Sequence, residues 1–358
     1  MTTPSESREV VVVGGGQAGL AIGYFLARQR RDFVILEAAD APAAAWRERW
    51  DSLRLFTPVQ NDSLPGLAFP GEPDTYPGRD DVAAYLTDYA ERFDLPVELG
   101  SRVRAVRAAE DGYLVDLDDG SYLADQVVIA TGPFQVPRVP AIADELDAGV
   151  AQFHSTAYRR PDQSPAGAVL VVGGGNTGFQ IAEELSRTHD VHLSIGSRQM
   201  PLPQRIAGRD LFRYLEAIGF MRVTVGSRLG RRLQDRETLI GSSPRAARRR
   251  HGIRLRARAT EAHGRQIAFG DGTRLEPASV VWATGFALDH SLVRLPVFDD
   301  ARRVVHRRGV TASPGLYFLG LPWQHTRGSA LLGWVRDDAG FIAERIAARA
   351  DSRRKVTA

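Results

Sequence analysis

One pattern occurs twice in this chain and limits the possible folds more than any other feature. Residues 10–19 read VVVVGGGQAG and residues 169–178 read VLVVGGGNTG, so each copy is an apolar run followed by G-x-G-x-x-G. Residues 118–132 (DDGSYLADQVVIATG) and 270–285 (GDGTRLEPASVVWATG) form a second matched pair that ends in Ala-Thr-Gly. A single G-x-G-x-x-G is weak evidence, but the ordered repeat predicts an α/β fold of two dinucleotide-binding, Rossmann-like domains.

The order of the repeated segments predicts that one domain is inserted into the other. The first domain comprises residues 1–160 and 286–358, and the second comprises residues 161–285. Each is expected to have three layers (ββα), with a parallel sheet between a β-meander and helices. Periodicity predicts strands at 10–13, 33–36, 103–106, 113–117, 122–129 and 316–319, and helices at 17–28, 80–93 and 329–350.

The first glycine-rich turn has the residues that a pyrophosphate site needs. Gly14 permits the tight turn, Gly16 lets the backbone approach the phosphates, and Gly19 lets the helix pack close to the sheet. The unpaired N–H groups at the start of the helix attract negative charge. Glu37 ends the second strand, where a carboxylate can accept hydrogen bonds from an adenosine ribose; a surface charge at a strand end is the alternative interpretation.

The second turn repeats these glycines, at Gly173, Gly175 and Gly178. The residue at the spacing of Glu37 is Gly196, and Ser197 and Arg198 follow it. A carboxylate there would repel a 2′-phosphate, whereas a hydroxyl and a guanidinium would bind one. We therefore predict NADPH rather than NADH, with Arg205 as a further candidate ligand; an exposed loop cation is the alternative interpretation of Arg198.

Two dinucleotide sites in one chain imply a hydride relay from a nicotinamide to a flavin. The end of the chain favours FAD at the first site, because residues 315–320 (GLYFLG) and 323–330 (WQHTRGSA) lead from a strand into the predicted last helix. The N-terminus of that helix would face the flavin edge on which negative charge collects during reduction. The sequence thus predicts FAD in the first domain and NADPH in the second.

The composition excludes several classes of function. The sequence contains no cysteine, so no thiolate can ligate a metal or relay electrons to a disulfide substrate, and no metal site is predicted. The net charge is +3, and the densest basic run, 245–250 (RAARRR), predicts a solvated face or a local anion site rather than the wide basic surface of a nucleic-acid-binding protein. No apolar run reaches the ~20 residues of a membrane helix. A cytoplasmic protein without a nucleic-acid or membrane partner is expected.

Together these residues resemble the flavin-containing monooxygenases, in particular short bacterial flavoproteins related to the plant YUCCA enzymes. The resemblance covers nearly the whole chain and is carried by GGGQAG at 14–19, Glu37, WRERWDSLRL at 46–55, TYP at 75–77, ATG at 130–132, GGGNTG at 173–178 and ATGF at 283–286. It implies a monooxygenase in which NADPH reduces FAD and the reduced flavin reacts with O₂ to form a flavin hydroperoxide. One oxygen atom then passes to a small-molecule substrate.

The motifs and the resemblance together select the candidate site residues. Those expected to bind the cofactors are Gly14, Gly16, Gln17, Ala18, Gly19, Glu37, Trp46, Arg47, Arg54, Ala130, Thr131, Gly132, Gly173, Gly175, Asn176, Thr177, Gly178, Ser197, Arg198, Thr284, Gly285, Ser329, Ala330 and Leu331. Those expected to orient or protect the reacting flavin are Gln60, Asn61, His325 and Arg327.

The sequence departs from the family pattern in three places. The family fingerprint between the two turns keeps its histidine and aromatic residue, His154 and Tyr158, but loses its first part. The resemblance gives His154 the role of positioning the linker, and a core or loop histidine is the alternative. Three alanines at 43–45 replace a glycine pair, and the family's active-site asparagine has only Gln60 and Asn61 as candidate counterparts, which are otherwise loop residues.

The motifs leave two other functions open. An NADPH-dependent reductase or oxidase would use the same two sites and pass electrons to a quinone, a carrier or O₂ without oxygenation. A flavin-binding sensor or scaffold would bind flavin that NADPH does not reduce. Substrate walls are expected from residues 55–69 and 202–241, and the apolar helix face at 211–220 is expected to pack in the core or in a homodimer interface rather than in a pocket.

Overall fold

The computed structural model describes residues 6–234 and 238–357, so residues 235–237 of the predicted substrate wall lie outside the described ranges. The α-helices are α1 (Gln17–Arg28), α2 (Ala44–Arg47), α3 (Arg79–Arg92), α4 (Asn176–Leu185), α5 (Leu211–Ala217), α6 (Arg228–Gln234), α7 (Pro244–His251) and α8 (Val335–Thr357). Short 3₁₀ helices occur at Val59–Asn61, Ala141–Glu145, Pro161–Gln163, Phe220–Arg222 and Arg327–Ala330.

The first sheet has a parallel centre and an antiparallel extension. Its described strands are Glu6–Val13, Phe33–Leu36, Val97–Glu98, Val103–Ala109, Gly112–Leu117, Ser121–Ile129, His306–Arg307, Val310–Thr311 and Leu316–Phe318. Glu6–Val13 lies between Phe33–Leu36 and Ser121–Ile129, with Val10 opposite Phe33 and Gln126. Leu316–Phe318 returns from the end of the chain to pair in parallel with Ser121–Ile129.

Alternate residues of the central strand face different layers, because successive side chains in a strand point to opposite sides. Val10 and Val12 are buried in a cluster with residues of α1, α3 and α8. Val11 and Val13 are buried in a second cluster with the antiparallel strands Gly112–Leu117 and Ser121–Ile129. Burial on both faces explains the unbroken valine run, which is typical of a covered parallel strand.

The second sheet repeats this plan in the middle of the chain. Its order is Arg254–Arg256, Asp190–Ser194, Ala168–Val172, Ser279–Trp282 and Ala151–His154, and every pair in it is parallel. Val169 and Val171 pack against α4, whereas Leu170 and Val172 pack towards Ile267 and Phe269 of a small antiparallel sheet. The edge strand Ala151–His154 comes from before residue 161, the predicted start of the second domain.

The remaining strands form small sheets that connect the larger units. They are Ala259–His263 with Gln266–Phe269 and Arg274–Leu275, Met200–Leu202 with Thr238–Ile240, Arg205–Ile206 with Arg209–Asp210, and Val136–Pro137 with Phe286–Ala287. The last pair lies where the chain enters and leaves the second sheet. No described helix combines the length and the apolar character needed to cross a membrane.

The predicted elements agree with the structure where the hydrophobic pattern is local. The bounds of α1 and of Phe33–Leu36 are those predicted, and α3 is shifted by one residue at each end. The helix predicted at 329–350 is wrong at its start, since α8 begins at Val335. The reason is a separate turn upstream, in which the Ser329 hydroxyl accepts hydrogen bonds from the backbone N–H groups of His325 and Thr326.

Candidate functional site

The first glycine-rich turn is held by a close approach between three strands. Gly14 has φ of +110° and donates a hydrogen bond to the Leu36 carbonyl, 2.8 Å away. A Cβ atom on Gly14 would lie 2.6 Å from the Ala130 carbonyl oxygen, and one on Gly19 would collide with the Gly14 carbonyl. Only glycine fits at either position, because the backbone conformation and the lack of space exclude a side chain at Gly14 and the lack of space excludes one at Gly19.

The other side of the turn forms a cradle that opens into a cavity. A Cβ atom on Gly16 would meet no atom within 4 Å. Gly16 is also the N-cap of α1, and no side chain caps the N–H groups of the first turn. Uncapped N–H groups at a helix N-terminus, with backbone open to a cavity in front of them, suit a pyrophosphate.

The carboxylate of Glu37 is fixed beside this cradle by two backbone N–H groups. Its Oε2 accepts from Gly15 at 2.8 Å, and its Oε1 accepts from Ala39 at 2.9 Å. Each oxygen keeps a lone pair for a further donor. The carboxylate is therefore oriented before any ligand binds, as a ribose-binding residue requires.

The second glycine-rich turn has the same geometry. Gly173 has φ of +135° and donates to the Ser194 carbonyl at 3.0 Å, and a Cβ atom on it would collide with the Ala283 carbonyl. A Cβ atom on Gly178 would collide with Gly173 in the same way. Gly175 is the N-cap of α4 and, like its counterpart, receives no side-chain cap. The backbone of this turn also fits a dinucleotide.

Strand register corrects the position that corresponds to Glu37. Gly14 donates to the residue immediately before Glu37, whereas Gly173 donates to Ser194, the residue immediately before Ile195. The counterpart of Glu37 is therefore Ile195, not Gly196, because the segment from the glycine turn to the strand end is one residue shorter in the second half. Neither Ile195 nor Gly196 is acidic, so the second strand end lacks a carboxylate whichever of the two is taken as the counterpart of Glu37.

A cation that the sequence analysis did not select lies beside this loop. The Arg258 guanidinium donates to the Gly196 carbonyl at 2.5 Å. Ser197 and Arg198 are exposed in the same loop. Arg205 is elsewhere, with its guanidinium donating to the Asp74 carbonyl. Arg258 is far from the glycine motif in the chain, so only the sheet brings it to the strand end.

A single cavity of about 540 Å³ is lined by residues from both turns. The predicted residues that line it are Gly14, Gly16, Gln17, Ala18, Glu37, Trp46, Arg54, Ala130, Thr131, Gly132, Asn176, Thr177 and Ala330. The Asn176 side chain is already used, since it donates to the Thr238 carbonyl and accepts from the Ile240 N–H. It thus orients the start of α4 through the neighbouring strand.

Other predicted cofactor residues do not contribute to the lining of this cavity. Arg47 points away, donating to the Pro42 carbonyl and the Thr87 hydroxyl. Gly19 and Gly178 lie inside the packed sides of their turns, and Ser329 is buried in the turn before α8. The rest of the set outside the lining is Gly173, Gly175, Ser197, Arg198, Thr284, Gly285 and Leu331.

The residues proposed to act on the flavin do not meet around the cavity. The Gln60 side chain donates to Asp74 at 3.1 Å, and the Asn61 side chain donates to Glu216 at 2.8 Å. His325 and Arg327 lie in the turn before α8, where burial lowers the pKa of each. None of the four residues lines this cavity.

Several cavity residues had no separate role in the sequence analysis. They include Arg49, Trp50, Phe56, Phe134, Gln135, Gln180 and Phe286. Gln180 of α4 holds the segment that follows α2, because its side-chain oxygen accepts from the Arg54 N–H and its nitrogen donates to the Arg54 carbonyl. The only signal for Arg49 and Trp50 was their place inside the segment WRERWDSLRL.

His154 ties the chain between the two sheets to the Ala-Thr-Gly segment of the second. Its Nε2–H donates to the Gly285 carbonyl at 3.1 Å, and its Nδ1 accepts from the Thr156 N–H at 3.3 Å. These partners require the neutral ring, and burial lowers the pKa of His154 accordingly. The ring also packs edge-on against Phe286, with centroids 5.1 Å apart.

Comparison with known proteins gives matches over nearly the whole chain. Residues 11–204 match the family described as pyridine nucleotide-disulphide oxidoreductase. An uncharacterized CzcO-like oxidoreductase of Geobacillus kaustophilus is 40% identical over 336 residues, covering 93% of this chain and 97% of that protein. Indole-3-pyruvate monooxygenase YUCCA1 of Oryza sativa is 36% identical over 181 residues, covering 49% of this chain and 45% of that protein.

A solved structure has the same fold. The flavin-containing monooxygenase from Stenotrophomonas maltophilia superimposes with a TM-score of 0.81 and is 29% identical. The match covers 96% of this chain and 99% of that one. The arrangement of two sheets with parallel centres is therefore shared over nearly the full length of both proteins.

Proposed function

The chain belongs to the pyridine nucleotide-disulphide oxidoreductase family and is a flavin-dependent oxidoreductase similar to the flavin monooxygenases. From this premise we propose that it is an NADPH-consuming monooxygenase. It transfers one oxygen atom from O₂ to a small-molecule substrate. In this proposal, residues 1–160 and 286–358 bind FAD, and residues 161–285 bind NADPH.

One observation carries the proposal: residues of both glycine-rich turns line the same cavity. Gly14 and Gly16 represent the first turn there, and Asn176 and Thr177 represent the second. Hydride transfer needs the nicotinamide and the flavin within contact distance of each other. A cavity that extends from the first cradle to the first residues of α4 meets this requirement, whereas two separate pockets would not.

The residues at the first cradle fit FAD. The uncapped start of α1 supplies N–H donors for the pyrophosphate, and the open face of Gly16 gives the phosphates room. Glu37 is oriented by two N–H groups for the adenosine ribose. When bound, FAD supplies the redox chemistry, and apolar residues of the cavity lining such as Trp50 and Phe56 keep water out.

The residues at the second cradle favour NADPH over NADH. Ile195 stands where Glu37 stands in the first half, so no carboxylate repels a 2′-phosphate. Arg198 is exposed in the loop that follows, and Arg258 donates to the same loop. Guanidinium groups bind phosphate oxygens by charge-assisted hydrogen bonds.

A reductase or oxidase that does not oxygenate its substrate is the second candidate. The observation that favours it is that Gln60, Asn61, His325 and Arg327 do not line the cavity. Those side chains were expected to protect an oxygen adduct. Without them, reduced FAD would pass its electrons to a quinone, a carrier or O₂. The sequence contains no cysteine, so no dithiol in these 358 residues can carry electrons from FAD to an acceptor.

The fate of oxygen distinguishes the two candidates. The purified holoenzyme is reduced with NADPH without air and then mixed with ¹⁸O₂, with and without a substrate. Indole-3-pyruvate is the first compound to test, because the plant relatives are named for it, followed by panels of amines, sulfides and ketones. A monooxygenase incorporates one ¹⁸O atom per NADPH. Peroxide equal to the NADPH consumed, with no labelled product from any compound, would contradict oxygenation and favour the oxidase.

A further inference from the structure

Arg49 has a setting that the proposed function does not use. It follows α2 and lines the cavity shared by the two glycine-rich turns. Its guanidinium carbon lies 4.8 Å from the centre of the Phe134 ring and 5.4 Å from that of Phe286. The two rings are 5.2 Å apart and tilted by 66°. Phe134 precedes the strands of the second sheet in the chain and Phe286 follows them. The guanidinium therefore lies where the chain enters and leaves the second sheet.

The charge of Arg49 has no carboxylate partner among the described residues. The nearby carboxylates Asp51 and Asp80 form ion pairs with Arg79, at 2.8 and 3.2 Å. Two other guanidinium groups, those of Arg79 and Arg159, donate to the Arg49 backbone carbonyl. Arg49 therefore forms no ion pair among the described residues, and the charged groups around it are of both signs.

Burial makes an unpaired guanidinium costly, and the structure shows the effect. Burial lowers the pKa of Arg49; the charge of Glu48 opposes this, and that of Arg159 adds to it. The faces of two aromatic rings offset part of the cost, because their π-electrons attract a cation. The ring contacts leave the N–H groups at the edge of the guanidinium without a protein acceptor among the described residues. A planar fork of donors that forms no ion pair with a carboxylate among the described residues suits an anion with two oxygen atoms.

We propose that Arg49 binds an anionic oxygen group, a carboxylate or a phosphate, of the ligand that enters the cavity after FAD. This ligand is either the nicotinamide dinucleotide or the substrate. The inference rests on the proposed function only in taking FAD as the first ligand. FAD itself already has a cradle for its phosphates at Gly14–Gly19, on the first sheet.

Binding to the FAD-loaded protein tests the proposal without turnover. The variants are Arg49→Met, which keeps the length and the ring contacts but removes the charge, and Arg49→Lys, which keeps the charge but loses the fork. Arg92→Met is the control, since Arg92 is exposed in the last turn of α3. The probes are NADP⁺, phenylacetate and its neutral analogue phenylacetamide, each titrated while the flavin absorbance is followed.

The expected result is a loss of affinity confined to one anionic probe. Arg49→Met should raise the dissociation constant of that probe by about 10- to 100-fold, with Arg49→Lys in between. FAD content, phenylacetamide binding and the Arg92→Met control should stay unchanged. Weakened NADP⁺ would identify a nucleotide phosphate as the anion, and weakened phenylacetate would identify a substrate carboxylate.

Other outcomes overturn the proposal. Dissociation constants for both anionic probes within twofold of wild type would show that Arg49 only packs between the rings. Loss of FAD from a folded Arg49→Met protein would assign the residue to the flavin instead. If that variant does not fold, Arg49→Lys is judged by the same limits. Oxygenation plays no part in these titrations, so a failure of the monooxygenase proposal would be seen separately.

Discussion

The two glycine-rich turns have the same backbone and differ in the side chains at the ends of the adjoining strands. Gly14 and Gly173 make equivalent hydrogen bonds and equivalent close approaches. The Glu37 carboxylate lies beside the first turn and is held by two N–H groups. Ile195 lies beside the second turn; Arg198 is in the loop that follows, and Arg258 donates a hydrogen bond to that loop. The backbone thus fits a dinucleotide in both halves, and in the proposed function the strand end selects which dinucleotide binds.

The largest effects are expected where the two turns are alike. Gly19→Ala and Gly178→Ala should each destabilise their half by about 3 kcal/mol, because the new Cβ atom collides with a backbone carbonyl that cannot move independently of its strand. Gly19→Ala should purify without FAD. Gly178→Ala should keep FAD but lose reduction by NADPH. Flavin absorbance per protein, thermal unfolding and anaerobic reduction measure these effects.

Gly16→Ala is the matched control for these substitutions. Its Cβ atom would meet no protein atom within 4 Å, so thermal unfolding of the apoprotein should not change. FAD affinity should still fall, because the methyl group would project into the cradle. A Gly19→Ala protein with a full complement of FAD would show that the close approach is not required, and the two turns could not then be treated as equivalent cradles.

The next effect tests the difference between the strand ends. Arg198→Ala and Arg258→Ala should each raise KM for NADPH by about 10- to 100-fold, as expected for the loss of a charge-assisted hydrogen bond worth about 1.5–3 kcal/mol. KM for NADH should change little, since NADH has no 2′-phosphate. Steady-state kinetics with both coenzymes measure the ratio.

Arg254→Ala provides the control for coenzyme choice, because Arg254 lies on the neighbouring strand and forms an ion pair with Asp190 at 2.6 Å. It should leave both KM values unchanged. If Arg198→Ala raised KM equally for NADPH and NADH, the loop would not bind the 2′-phosphate. The difference between the two strand ends would then not explain coenzyme choice.

A smaller effect is expected at the first strand end. The Glu37 carboxylate accepts hydrogen bonds from two backbone N–H groups. In Glu37→Gln, the amide nitrogen would face one of these donors, so that hydrogen bond is lost and the side chain turns. FAD affinity should fall about 10-fold, the equivalent of about 1.4 kcal/mol. Titration of the apoprotein with FAD measures this. An unchanged affinity would mean that the carboxylate only stabilises the turn in the free protein.

Sequence patterns predicted the parts of the molecule that short segments determine. The bounds of α1 and the position of Gly14 follow from an apolar run, a glycine turn and a helical pattern within about two dozen residues. Burial on both sides of the sheet follows from the valine run at 10–13. These features need no knowledge of the rest of the chain, because they arise from local periodicity and backbone sterics.

The features that were missed depend on contacts between distant segments. Arg258 reaches the loop after Ser194 because Arg254–Arg256 is the edge strand beside Asp190–Ser194. Phe134 and Phe286 meet only because Val136–Pro137 pairs with Phe286–Ala287. Counting residues also fails when two copies of a motif differ in the length of the segment between the glycine turn and the strand end, as the position of Ile195 shows.

The smallest expected effect concerns the hydrogen bond between His154 and the Gly285 carbonyl, which has no described equivalent in the first half. Gly285 is bound by the neutral ring of His154, whereas Gly132 in the first half has no histidine partner among the described residues. Burial lowers the folded-state pKa of His154, so the unfolded chain takes up a proton first as the pH falls. Stability should therefore be complete above about pH 6.5, the unfolded value, and should decline below it.

His154→Gln should separate this hydrogen bond from the rest of the fold. At pH 8 the variant should be less stable by about 1 kcal/mol, the contribution of one hydrogen bond. The gap from wild type should narrow as the pH falls below about 6.5, because the wild type then pays to keep its histidine neutral and the variant does not. Denaturant unfolding between pH 5 and 8, with the exposed His263→Gln as the control, measures both curves. Parallel curves would mean that protonation of His154 does not loosen the second half.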